Sequence, residues 1–204
     1  TEPGGLFRSD DDGESFELVR GLWDHESHNE NGWFGGGRDN PGIHSILVDP
    51  RDSRRVSIAI SCAGYFDSQD DGVSWTPRNK GLAADFLPDP TSEVGQDPHL
   101  VARCTGTPDV LWQQNHCGIY RSTDNGLSWN FISQEGGPAH FGFAICSDPE
   151  DPLTAWVVPG QGDDKRLAYD HRVIVSRTTD GGQSWHEQTR GLPQENAFDI
   201  VYRH

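Results

Sequence analysis

Apolar positions in this chain come in short runs, and polar turn residues interrupt them before a helical face can build up. Runs at 43–48, 100–105, 141–147 and 198–203 share one character, and the first three are each followed by a turn and a second run, at 56–62, 110–116 and 153–158. The intervening turns are Asp49-Pro50-Arg51-Asp52 and Asp148-Pro149-Glu150-Asp151, with Gly106-Thr107-Pro108-Asp109 as a variant. Proline at the second position of the first two fixes φ and cannot extend a ladder. This alternation predicts antiparallel strand pairs.

A second pattern repeats on top of the first. The octads at Ser9, Ser68, Ser122 and Thr178 all read [ST]-x-D-x-G-x-S-[WF], with starts 59, 54 and 56 residues apart. A fixed period of this length means one supersecondary unit used repeatedly. Each octad follows a short apolar run and reads as a hairpin turn. The central aspartate (Asp11, Asp70, Asp124, Asp180) folds its carboxylate onto backbone N–H groups, and glycine two residues later (Gly13, Gly72, Gly126, Gly182) takes positive φ. The closing aromatic, Trp75, Trp129 or Trp185 in the last three, starts a returning strand and buries its ring against a neighbouring unit. A further mark follows three of the hairpins: Arg20-Gly21-Leu22, Lys80-Gly81-Leu82 and Arg190-Gly191-Leu192.

The octads resemble Asp boxes, or BNR repeats, as found in sialidases, Asp-box glycoside hydrolases, the sortilin ectodomain and photosystem assembly factors. Over nearly all 204 residues the chain resembles bacterial proteins of the BNR/YVTN-like propeller type, many named glycosyl hydrolase or exo-alpha-sialidase by homology. The resemblance implies an all-β fold, a β-propeller of four-stranded antiparallel blades, in a ring of six to eight. About four blades are expected here: the end of one at 1–22, then 43–82, 99–134 and 141–192, with 198–204 opening the next. An alternative pairs that last strand with the first hairpin. In such blades the inner two strands (A–B) and outer two (C–D) are joined by short turns at one face. Here every long connection (22–42, 82–98, 134–140, 159–171, 192–197) falls at the other face. Rigid sheets with long loops on one face carry binding groups there.

Net charge of −16 disfavours nucleic acid and anionic membranes, and no apolar run reaches the roughly 18 residues of a membrane span. The chain has no Met and begins inside a repeat, so it reads as truncated and any signal peptide as removed. Four cysteines without metal-ligand spacing read as reduced core thiols, which, with no N-x-[ST] acceptor, points to a cytoplasmic location.

Candidate chemistry gathers where A strands begin and B strands end, at the channel mouth on the long-loop face: His44, Asp97, His99, Asn115 and His116, with Glu195 and Asp199 in the last unit. Such a set can bind a divalent metal through His44, His99 and His116, move protons, or hydrogen-bond a polyol. Channel mouths are also wet and tolerate polar side chains without function. In the first long loop, Trp33 and Arg38 flank Gly35-Gly36-Gly37 and either contact a ligand or anchor the loop. The glycines match no phosphate loop, and an EF-hand counted from Asp10 or Asp70 meets Gly21 or Gly81 where glutamate is required. The sialidase F/Y-R-I-P stretch is absent, and Arg8, Arg121 and Arg177 precede octads on the wrong face. Three readings follow. The first is a module binding a glycan, small molecule or protein at the long-loop face; the second is a glycoside hydrolase using two carboxylates from among Asp97, Glu195 and Asp199 as acid and base or nucleophile. The third is a metal-dependent hydrolase.

Overall fold

A computed structural model describes residues 1–28, 32–37 and 39–197. Among these residues fourteen strands form one two-stranded and three four-stranded sheets, all antiparallel between chain neighbours. The first hairpin is β1 (Phe7–Arg8) with β2 (Glu17–Leu18). Then come β3 (Ile43–Asp49), β4 (Asp52–Ile60), β5 (Gly64–Ser68) and β6 (Thr76–Pro77). The third unit is β7 (Pro98–Arg103), β8 (Leu111–Asn115), β9 (Gly118–Ser122) and β10 (Asn130–Phe131). The fourth is β11 (Gly142–Ser147), β12 (Ala155–Pro159), β13 (Val175–Thr178) and β14 (His186–Gln188). Each four-stranded sheet is a meander in chain order. Residues 198–203, expected as a further A strand, lie outside the described residues.

The core is laminated. Successive residues of a strand point to opposite faces, so Phe66 joins the layer between the first and second units while Tyr65 joins the layer between the second and third. A third layer, with Trp112, Ile119, Val157 and Trp185, separates the third unit from the fourth. β5 and β8 are covered on both faces and buried along their whole length, which encloses the polar Asp67, Ser68, Gln113, Gln114 and Asn115.

All four octads close with the same bonds. In the third, the Ser122 hydroxyl donates to Asp124 Oδ1 at 2.7 Å and accepts from Gly126 N at 2.9 Å; Ser128 N and Oγ donate to the two Asp124 oxygens at 2.9 and 2.6 Å. The first, second and fourth repeat it. The glycine has positive φ as expected, but so does the residue before it: Asp12, Asp71, Asn125 and Gly181. Trp75, Trp129 and Trp185 are buried, whereas Phe16 of the first octad is 64% exposed. Trp129 shows how units join: its backbone N donates to Lys80 O and its indole to Arg78 O, both at 2.9 Å. Gly81 there has φ +91°, and a Cβ would lie 2.2 Å from Trp129 O, so glycine is required. In the first unit the equivalent segment forms a single helical turn, α1 (Arg20–Trp23), which the strand pattern did not foretell.

Octads and A–B turns share one end. Asp71 N, Asn125 N and Gly181 N donate to Arg54 O, Asp109 O and Leu153 O beside those turns. Neighbouring units are tied there by Arg51, which bridges Asp49 and Asp109, and by Gly106 N to Pro149 O. β7 packs between β3 and β11, so the A strands of three units face one another. Of the cysteines, Cys62 and Cys104 are buried, but Cys146 is exposed and Cys62 and Cys117 sit in turns outside the strands.

Candidate functional site

The A strands share a defect in one place. β3 pairs Ile43 with Ile60 and then Ser45 with Ala59, which leaves His44 as an extra residue. β7 does the same at His99 and β11 at Phe143. A bulge re-aims its side chain and bends the strand locally. All three bulged residues line a single recess at the end opposite the octads.

The recess has a volume of about 580 Å³. Its walls come from the long connections: Phe34 to Gly37 from the first, Phe86 from the second, Asp163 and Arg166 from the fourth. The glycine run comes in close because Gly36 has φ +59° and any Cβ would lie 2.6 Å from Cys62 Sγ. Phe86 stands edge-on to Phe34 and to His116, with centroids 6.2 and 5.3 Å apart. Arg166 lies over the Phe143 ring at 5.5 Å and pairs with Asp163 at 2.7 Å.

Asp97 and two histidines occupy the floor. Asp97 Oδ1 accepts from Ser61 Oγ at 2.7 Å and Cys62 N at 3.1 Å. Its Oδ2 faces His99 Nε2 at 3.5 Å and His116 Nδ1 at 3.4 Å. These three donor atoms lie within 4.8 Å of one another, an arrangement able to hold a metal ion. The backbone sets the spacing, since His116 N donates to Asp97 O at 2.9 Å. His99 Nδ1 donates to Gly142 O at 2.7 Å, and its ring stacks on Phe143 at 4.3 Å and 9°. His116 Nε2 points to Asp163 Oδ2 at 3.8 Å.

Burial alone would raise the Asp97 carboxyl, but the facing His116 and His99 and the Ser61 hydroxyl outweigh it. Asp97 is held well below the ordinary carboxylate range. Contact with Asp97, opposed by burial and helped by Asp163 and Asp85, raises His116. Burial, with Asp97 nearby, pushes the Cys62 thiol up to about 12.

Of the residues singled out in the sequence, Asp97, His99 and His116 come together, and His44 lines the same recess. Asn115 is buried beneath it: its amide donates to Gln113 Oε1 and accepts from Cys117 N, holding the turn that carries His116. Trp33 is 5% exposed and packs against Phe66, with its indole bonded to Ser27 Oγ, so it anchors its loop and does not face the recess. Glu195 is exposed and does not line the recess. Arg38 and Asp199 lie outside the described residues. Ser61, Phe86, Phe143, Asp163 and Arg166 escaped the sequence reading, although the charged stretch 163–166 lies in a connection already assigned to this face.

Among the described residues no helix is long and apolar enough to cross a membrane. No protein-family model and no curated protein matches the sequence. Solved structures do match. The GH74 xyloglucanase from Xanthomonas campestris is 20% identical with a TM-score of 0.65, over 93% of this chain and 27% of its own. An ancestral GH74 enzyme gives 18%, 0.53, 83% and 20%, and YCF48 bound to D1 peptide gives 16%, 0.50, 75% and 42%. The chain thus spans about a quarter of the xyloglucanase and less than half of YCF48. These neighbours are β-propeller proteins, and the chain is a β-propeller module with blade-like sheets in an unclosed arrangement.

Proposed function

We propose that this chain is a ligand-binding module of the Asp-box (BNR) propeller type, whose recess on the long-loop face receives one sugar-sized polyhydroxylated ligand. The observation that carries the reading is the composition of the recess. Three phenyl rings, Phe34, Phe86 and Phe143, surround a polar centre of His44, Asp97, His116, Asp163 and Arg166. Apolar faces with a few convergent polar groups in a cavity of this size suit a small ligand. The solved structures of this fold include a xyloglucanase and a peptide-bound propeller, and the size of the recess favours the smaller class of ligand.

Glycoside hydrolysis is the weaker reading. It requires one carboxyl that gives up a proton and a second across the scissile bond. Asp97 is held as a carboxylate by its neighbours, and Glu195 stands apart from the recess.

Titrating a panel of monosaccharides and short oligosaccharides, read by ligand-observed NMR and calorimetry, tests the proposal. Phe86→Ala should weaken binding about fivefold to tenfold, the loss of one ring contact worth about 1 kcal/mol. If every sugar bound by the chain binds the variant equally well, the recess is not its site.

A further inference from the structure

We infer that the floor of the recess is a divalent transition-metal site of the zinc type, with Asp97 Oδ2, His99 Nε2 and His116 Nδ1 as ligands and its remaining coordination position directed into the recess. The inference stands apart from the identity of any organic ligand, and metal alone tests it.

Hydrogen-bond chemistry decides which atoms carry lone pairs. A backbone carbonyl only accepts, so the 2.7 Å bond to Gly142 O requires the proton of His99 to sit on Nδ1. In the neutral ring Nε2 is then a lone-pair donor, and it is aimed at a carboxylate oxygen 3.5 Å away. His116 Nδ1 approaches the same oxygen at 3.4 Å. Charge-assisted hydrogen bonds between imidazolium and carboxylate run at about 2.7–2.9 Å, so these separations are long for proton-sharing contacts. They match the edge of a coordination tetrahedron, since ligands bound at about 2.0–2.1 Å stand about 3.4 Å apart. The remaining edge, between the imidazoles, is within 4.8 Å.

Two of the three prospective ligands also have the outer partner that metal ligands use. Ligating histidines donate their other N–H to a carbonyl or carboxylate, and ligating carboxylates are themselves hydrogen-bonded. His99 has Gly142 O, and Asp97 has Ser61 Oγ and Cys62 N on its other oxygen, while Asp163 Oδ2 faces the far nitrogen of His116 at 3.8 Å without a hydrogen bond. Two imidazoles and one carboxylate select a transition metal over calcium or magnesium, which take oxygen ligands. Two bulk features assist: Asp97 and His99 are nearly buried, and the chain's net charge of −16 draws cations.

The test uses the whole chain, stripped with chelator and dialysed, then titrated with zinc chloride under a competing chromophoric chelator. One equivalent per chain should bind, with a rise in Tm, and cobalt(II) should give the visible bands of a four-coordinate N/O site. Asp97→Asn and His116→Gln should each weaken zinc at least tenfold, while His28→Gln, in a separate loop, should leave it unchanged. If Asp97→Asn fails to fold by circular dichroism, the His116→Gln variant, whose side chain is a quarter exposed, carries the comparison. Zinc binding by the parent chain of less than a tenth of an equivalent overturns the inference. So does wild-type affinity in the His116→Gln variant. A chain that binds zinc but no sugar would retain this inference and discard the ligand proposal; the converse result would do the reverse.

Discussion

At the turn end of the molecule, four octads repeat one set of hydrogen bonds, and neighbouring units are stitched by Arg51 and by Trp129. At the loop end, the three equivalent bulges carry His44, His99 and Phe143, three side chains with unlike roles. What is repeated at one end turns its polar groups on one another. What varies at the other end gathers donors and rings around a recess. Repetition therefore marks the scaffold in this chain, and departure from repetition marks the recess.

Substitutions of similar size at the two ends should separate these roles. The largest effect is expected at Trp129, which is 3% exposed, packs on Tyr65 and makes two bonds to the preceding unit. Trp129→Ala should cost about 3–5 kcal/mol in urea unfolding. Next is Asp124→Ala, which strands the hydroxyls of Ser122 and Ser128 and the amide of Ser128; about 2 kcal/mol should be lost. The same change at the exposed Asp11 should cost less, although its bonds are the same. A loss at Asp11 equal to that at Asp124 would show that burial does not set the strength of these turns.

Third comes acid. Hydrogen bonds from Arg51, opposed by burial and aided by Arg103, hold the Asp49 carboxyl at about 2. Because this lies below its unfolded value of about 3.9, the stabilisation is complete above pH 4 and disappears as pH falls towards 2. Its size is about 2 kcal/mol, and Asp49→Asn should flatten the fall of Tm over that window. The smallest effect belongs to the loop end. Phe86 is 41% exposed, so Phe86→Ala should change stability by less than about 1 kcal/mol while weakening ligand binding. A large loss of stability there would erase the contrast between the ends.

Much of the turn end was legible because its signals are local. Asp and Gly at fixed offsets specify a hairpin, and the octad period locates the sheets. Even so, the left-handed residue before each glycine was not foreseen, since Asp12, Asp71 and Asn125 carry no mark distinguishing them from ordinary turn residues. The loop end was read only through the ends of strands, which is how Asp97, His99 and His116 came into view. The bulges stayed hidden, because an extra residue looks like one more position in an apolar run. Asp163 and Arg166 were missed because their place depends on how a long connection folds back, and no short-range pattern encodes that. For Trp33 the glycine-rich loop left ligand contact and loop anchor both open, and the neighbouring Phe66 identifies the anchor.

The recurrent bulge has a consequence for how such a module changes over time. A bulged position, set outside the regular ladder pairing, can exchange its side chain without shifting the strand register. Three such sockets at one mouth let a handful of point substitutions rewrite what the recess accepts, while the scaffold that presents them stays as it is.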